Sequence, residues 1–302
     1  MRVLNFSFSL PGGLVPPALV IVAAMFLTAA AHISFAQSGS GEHRAAAGSG
    51  EVIGHSVEGR PITVERVGSG PTDVLIVGGI HGAYEANSIV LARRLLEHYR
   101  TSPQALPEDF TLHVIDNMNP DGMHRVTGAT PIEQFDFRSA DTVPGRFNAR
   151  WVDLNRNWDG DWQPTSYWGN REVDAGSAPF SEPETRAVRD YVERIDPAVS
   201  VFYQSAAFGL WYSGAEDGWE PARRLAEVYH RASGYRMPEP DDGSGDSGGP
   251  VDYEITGSAD DYFYEIGHPN LTVELTTHTT IELDRNLGGL RSMLTVLRES
   301  GE

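Results

Sequence analysis

Residues 73–99 read DVLIVGGIHGAYEANSIVLARRLLEHY, and the change of pattern within them decides the fold class. Asp73 to Ile80 is a continuous apolar run ending in two glycines and an isoleucine, which suits a strand covered on both faces better than one alternating between core and water. From Ser88 to Tyr99 the apolar positions Ile89, Ala92, Leu95, Leu96 and Tyr99 recur at helical spacing, so a helix is predicted there. Working outward, the alternation continues. Strands are expected at FTLHVID (110–116), VSVFYQ (199–204) and LTVEL (271–275), and helices at 183–195, 219–234 and 284–298. The helix at 183 opens with proline followed by an acid, as helix starts favour. Strands alternating with helices in this way imply an α/β sheet with helices on both faces.

Composition narrows the chemistry. The formal net charge of −19 disfavours nucleic acid and anionic membrane as partners, since both would be repelled, and favours basic peptides. The chain has no cysteine, which excludes disulfides, thiolate metal sites and thiol nucleophiles. Any metal must sit on imidazole, carboxylate or amide groups.

The N-terminus reads as targeting sequence. Arg2 precedes an apolar run from Leu14 to Ala31, and Ser34, Phe35 and Ala36 supply a small-x-small exit before Gln37. Residues 1–36 are therefore expected to be a signal peptide or, uncleaved, an N-terminal membrane anchor. Residues 37–50 (QSGSGEHRAAAGSG) have the small, polar composition of a flexible linker. The folded domain should span 51–299, interrupted by the acidic, glycine-rich stretch EPDDGSGDSGGP (239–250), expected to be a mobile loop.

His81 follows the first strand directly and Glu85 lies four residues later. That places both at the carboxyl end of a strand, where open α/β sheets gather ligands, and on one face if a helical turn begins there, so they could share a cation. Taken alone, the pair also reads as a surface histidine and a first-turn acid. Further along come NPDG (119–122), GRFNARWVDLNRNWD (145–159), with three arginines and three asparagines among apolar residues, SEPE (181–184) and YEITGSADDY (253–262). Each has a plainer reading: DLNRNW as a capped turn, Tyr253 as packing, Glu274 within LTVEL as an edge-strand acid. GxSxG and a glycine-rich phosphate loop are both missing, which sets aside a serine hydrolase or a phosphate-binding protein.

In motif order and most spacings, residues 51–299 resemble the zinc carboxypeptidase family, the pancreatic type and its bacterial relatives. The resemblance implies a single domain built on a mixed, mostly parallel twisted sheet, and one zinc ion. It implies that His81 and Glu85 are metal ligands, with Asp153 holding the histidine in its metal-binding tautomer. Asn155 and Arg156 match the pair that grips the substrate's terminal carboxylate, for which a guanidinium fork is well suited. Arg146 corresponds to the arginine that polarises the scissile carbonyl. Glu274 corresponds to the general base serving a metal-activated water, and Tyr253 to the mobile tyrosine over bound substrate. Asp260 falls at the bottom of the side-chain pocket, where an acid favours Lys or Arg, although it reads equally as a surface aspartate.

One position departs from the pattern. The third ligand should be a histidine ending VSVFYQS, and here it is Gln204, a neutral amide and a much poorer zinc donor than imidazole. His278, four residues beyond Glu274, is the nearby candidate substitute and otherwise a loop histidine. The spacing from His81 to Glu85 is also one residue longer than in the pancreatic enzymes. Two functions follow: a peptidase acting on peptides or cell-wall stem peptides, or a non-catalytic protein that binds peptide C-termini.

Overall fold

A computed structural model describes residues 50–237 and 253–300. The expected targeting segment, nearly all of the linker and the 239–250 loop lie outside them. Six helices of eight residues or so and longer alternate with nine strands among the described residues: β1 (Glu51–His55), β2 (Pro61–Gly68), β3 (Thr72–Val77), α1 (Ala86–Thr101), β4 (Phe110–Ile115), α2 (Pro120–Thr127), β5 (Thr165–Trp168), β6 (Arg171–Asp174), α3 (Pro183–Ile195), β7 (Val199–Ser205), β8 (Gly209–Tyr212), α4 (Glu220–Ser233), α5 (Ala259–Glu265), β9 (Asn270–Leu275) and α6 (Leu283–Ser300).

Seven strands form one sheet in the order β1-β2-β4-β3-β7-β9-β8. The middle four, β4, β3, β7 and β9, run parallel, and β1, β2 and β8 pair antiparallel at the two edges. The mixed, mostly parallel sheet is thus the one expected. Alternate residues of β3 go to opposite faces: Val74 and Ile76 pack beneath α1, α4 and α6, and Leu75 and Val77 join the layer containing Trp158, α3 and α5. This double coverage explains why the β3 sequence is apolar without alternation.

The strand stops at Val77 rather than Ile80. Gly78 leaves the ladder to donate to Ile115 O, and Met118 and Asn119 donate back to Gly78 O and Gly79 O at 3.0 Å each. The segments following β3 and β4 are thereby zipped together beyond the sheet. Gly82 has φ +46°, and a Cβ there would stand 2.7 Å from Gly145 O. Only glycine allows the turn after His81 to meet the segment that carries Arg146. From β3 the chain turns one way to β4 and later crosses to β7 on the other side, which puts a topological switch point at the carboxyl ends of β3 and β7, where sheets of this kind open a crevice.

Candidate active site

Four buried polar residues form one wall of this crevice. His81 Nδ1 lies 2.7 Å from Glu85 Oε1, and its Nε2 lies 3.2 Å from Asp153 Oδ1. Asp153 Oδ2 accepts from Arg146 Nε at 2.9 Å and lies 2.8 Å from Nη2, two donors converging on one oxygen, which orients the guanidinium. Burial alone would favour the neutral form of Asp153, but Arg146 and His81 outweigh it and hold the carboxyl well below the usual range. Arg146 Nη1 reaches to 3.3 Å from His81 Nδ1 and 3.8 Å from Glu85 Oε1. The Arg146 guanidinium also sits 4.5 Å over the Trp168 ring and 5.7 Å from that of Tyr84, so an aromatic wall shields it from water.

A second group lies beyond Asp153. Arg156 is buried, donating through Nε and Nη2 to Tyr167 O at 3.0 and 2.8 Å and through Nη1 to Asn155 O at 2.6 Å. Asn155 Oδ1 accepts from Ala259 N at 3.1 Å, which anchors the start of α5 and leaves the amide nitrogen to donate. Asp260, in the first turn of α5, accepts from Asn270 Nδ2 at 2.5 Å and Thr272 Oγ1 at 3.1 Å. Burial raises its carboxyl to about 7, with Asp261 adding to the effect. It is therefore not an ordinary surface aspartate.

The opposite wall comes from β7 and β9. Gln204 and Glu274 are register partners across the parallel ladder, and both point into the crevice region. Glu274 is pushed well above the usual carboxylate range, by burial first and then by the nearby Glu85. Its Oε2, Glu85 Oε2 and Gln204 Nε2 are all cut off from solvent without a hydrogen-bond partner. Buried polar atoms seldom remain unpaired without a functional reason. The unpaired Glu85 oxygen and the His81 imidazole are two donors of the kind a divalent cation takes, although Arg146 Nη1 stands 3.3 Å from His81 Nδ1. Gln204 offers only an amide as a third, and among the described residues no three His, Asp or Glu side chains converge at metal-binding distance.

His278 lies on the turn after β9. Its ring is 4.5 Å from that of Tyr84 and its Nδ1 is 3.0 Å from Ser205 Oγ. Direct contacts thus join His81, Glu85, Asp153 and Arg146, the charge of Glu85 reaches Glu274, and Gln204 is the register partner of Glu274. Tyr84, Trp168, Ser205 and Asn87 were not among the residues expected from the sequence. Tyr84 sits inside the HGAYE stretch that was singled out, whereas Trp168 reaches the site from the β5–β6 hairpin with no sequence signal to announce it.

Comparison with known proteins agrees with this geometry. The zinc carboxypeptidase family profile matches residues 49–286. A carboxypeptidase B from Helicoverpa zea is 28% identical over 240 residues, covering 73% of this chain and 56% of that protein. A carboxypeptidase B from Astacus astacus is 27% identical over 58% of this chain and 62% of that protein. The chain thus spans little more than half the length of these relatives. Among solved structures, murein-tripeptide amidase MpaA from Escherichia coli O157 superimposes with a TM-score of 0.55 at 21% identity, covering 82% of this chain and 91% of that one. Bovine thrombin-activatable fibrinolysis inhibitor, in complex with tick carboxypeptidase inhibitor, gives 0.61 at 19% identity, with 83% and 88% covered. At these identities the structures speak to the fold.

Proposed function

Because this chain belongs to the zinc carboxypeptidase family, we propose that it is an exported exopeptidase that removes the C-terminal residue from peptides, cell-wall stem peptides among them. The observation that carries this reading is Glu274. A half-buried carboxyl with one oxygen sealed from solvent and unpaired is costly to keep, and a protein that only held peptide ends would have no use for it. Stem peptides enter the substrate class through the likeness to a murein-tripeptide amidase.

In this reading His81 and Glu85 hold one zinc ion, which when bound supplies Lewis-acid polarisation and acidifies water. Asp153 orients the His81 ring through Nε2. Glu274 takes a proton from the attacking water and later delivers it to the leaving amine. Arg146, already stripped of solvent, stabilises negative charge developing on the scissile carbonyl oxygen. Arg156 and the Asn155 amide nitrogen receive the substrate's terminal carboxylate, and Tyr253 covers it. Asp260 at the base of the side-chain pocket favours a C-terminal Lys or Arg.

A second reading, a non-catalytic binder of peptide C-termini, is favoured by Gln204 and by the Arg146 guanidinium lying 3.3 Å from the His81 nitrogen that would ligate metal. The test is mass spectrometry of peptides ending in Lys, Arg or Leu, and of a murein tripeptide, after incubation with the purified chain. Loss of one C-terminal residue, abolished by chelator and by Glu274→Gln, is the expected result. Peptides that bind but stay intact would establish the second reading instead. Export is checked by N-terminal sequencing of the mature protein, and a chain still starting at Met1 would contradict signal cleavage.

A further inference from the structure

Gln204 sits where the charged side chains of the site converge. β7 runs between β3 and β9; its Val201 and Tyr203 join the layer beneath α1, α4 and α6, and its Phe202 joins the layer of Trp158 and α3. Gln204, two residues beyond Phe202, therefore projects from the same face as Phe202, and its register partner Glu274 does likewise. Neighbouring strands lie about 4.8 Å apart, so these two side chains stand next to one another. On the far side of β7, the chain leaving β3 carries His81 and Glu85. The charges of Glu85 and Arg146 reach Glu274 across β7, and the Gln204 amide lies on the strand between.

Gln204 is only 3% exposed, and its Nε2 has no acceptor among the described residues. An amide placed among carboxyls turns its NH2 group toward them, because its oxygen would be repelled, and here Nε2 is the enclosed atom. That atom carries two hydrogens and offers no lone pair, so it can donate and cannot ligate a metal. Beside it, Glu274 Oε2 is an unpaired acceptor. A donor next to an acceptor matches a group with two oxygens, one anionic and one carrying hydrogen. A planar peptide carbonyl has a single oxygen, whereas the tetrahedral adduct of that carbonyl with water has both.

We propose that Gln204 Nε2 is a catalytic hydrogen-bond donor to the oxyanion of the tetrahedral intermediate, acting from the β7 wall as Arg146 acts from the opposite one. This inference rests on the peptidase reading, because it adds a residue to the reaction assigned there. Water adds through its oxygen to the scissile carbonyl carbon and gives one proton to Glu274, while the carbonyl π pair moves onto the oxygen that Gln204 and Arg146 face. On collapse that pair re-forms the C=O bond, the C–N bond breaks, and the nitrogen takes the proton back from Glu274, which leaves a carboxylic acid and a free amine. The oxyanion exists only after attack. A donor aimed at it therefore strengthens its bond between ground state and transition state and lowers the barrier.

The test pairs steady-state kinetics of the full chain with binding of a peptide phosphonate, whose tetrahedral phosphorus presents two oxygens in place of the scissile carbonyl. Gln204→Met keeps the length of the side chain and removes the donor. It should lower kcat about a hundred-fold and weaken the phosphonate by a similar factor, as loss of one oxyanion donor does, with KM for the peptide and zinc affinity in chelator competition within about three-fold of wild type. Those two unchanged values also show that the variant is folded. Gln204→Glu, which keeps the shape and when ionised offers only acceptors, should lose at least as much of both kcat and phosphonate affinity. A Gln204→Met protein with wild-type kcat and phosphonate affinity overturns the inference and leaves the peptidase reading standing. One whose losses follow a fall in zinc affinity makes Gln204 a ligand, and the inference falls in the same way. If wild type neither cleaves peptides nor binds the phosphonate more tightly than the parent peptide, both fall together.

Discussion

The two walls of the crevice differ in how far their polar groups are satisfied without a ligand. On the wall built by the turn after β3 and the segment from 146 to 156, opposite charges meet. His81 faces a carboxylate at each ring nitrogen, Asp153 takes two hydrogens from Arg146, and Arg156 is bound to backbone carbonyls. On the wall from β7 and β9, Gln204 Nε2 and Glu274 Oε2 have no partner. Apart from Glu85 Oε2, which is also unpaired, the first wall is a self-supporting frame, whereas the second is completed only by what binds there. Frames of the first kind hold catalytic groups in position, and unpaired groups of the second kind are where differential binding of a transition state can arise.

The sharpest way to break this contrast is to neutralise the unpaired acid. Glu274→Gln should lower kcat by about a thousand-fold, the range expected for losing a general base, while leaving the fold intact or slightly more stable, since a buried acid is exchanged for a neutral isostere. Steady-state kinetics and a thermal melt on the same preparation check both halves. A variant that loses stability along with activity would show that Glu274 belongs to the frame after all.

Arg146→Ala probes the other wall and should behave in the opposite sense. Removing the guanidinium leaves Asp153 buried with one of its counter-charges gone, which typically costs about 3 to 5 kcal/mol. Activity should fall by about a hundred-fold through loss of the oxyanion donor. Denaturant unfolding measures the first effect and kcat the second. Adding Asp153→Asn to Arg146→Ala should recover part of the lost stability, because the stranded charge is removed. No recovery would mean that the pair is not coupled as its geometry implies.

The same contrast explains what could be read from the sequence. The β3 run was legible because burial on both faces demands unbroken apolar character, and the start of α3 because Pro183 followed by an acid marks a helix N-terminus. Of the expected site residues, His81 and Glu85 were suggested by their place after a strand end, and the others came from the resemblance to the zinc carboxypeptidase family. The long reading of β3 to Ile80 failed because Gly78 and Gly79 keep the apolar composition while their backbone groups bond to the neighbouring segment. The β5–β6 hairpin, Trp168 over Arg146 and the hydrogen-bonded run Asn87–Ser205–His278 were invisible. Each depends on segments far apart in sequence meeting at one point, and no local pattern records such a meeting. His278 stood out only as a nearby imidazole; the hydrogen bonds that give it a direction exist only in three dimensions.

Asp260 belongs to the second wall in kind, since its carboxyl has two neutral donors and no cation. Its folded-state pKa of about 7 stands above the ordinary 3.8, so the folded protein holds this proton more tightly than the unfolded chain does. The resulting stabilisation is fully present below pH 4 and is lost as the pH rises toward 7, by at most about 4 kcal/mol. Asp260→Asn cannot titrate there. Relative to wild type it should therefore melt at nearly the same temperature at pH 4 and several degrees higher at pH 8. The substrate supplies the missing cation in the proposed pocket. For wild type, KM for peptides ending in Lys or Arg should fall about ten-fold between pH 6 and 8 as the carboxylate forms, whereas KM for those ending in Leu should not follow it. Asp260→Asn should abolish that pH dependence for the basic substrates. A basic-substrate KM that is flat with pH in wild type would place the side-chain pocket elsewhere, and Asp260 would then be an acid held by Asn270 and Thr272 to fasten α5 against β9.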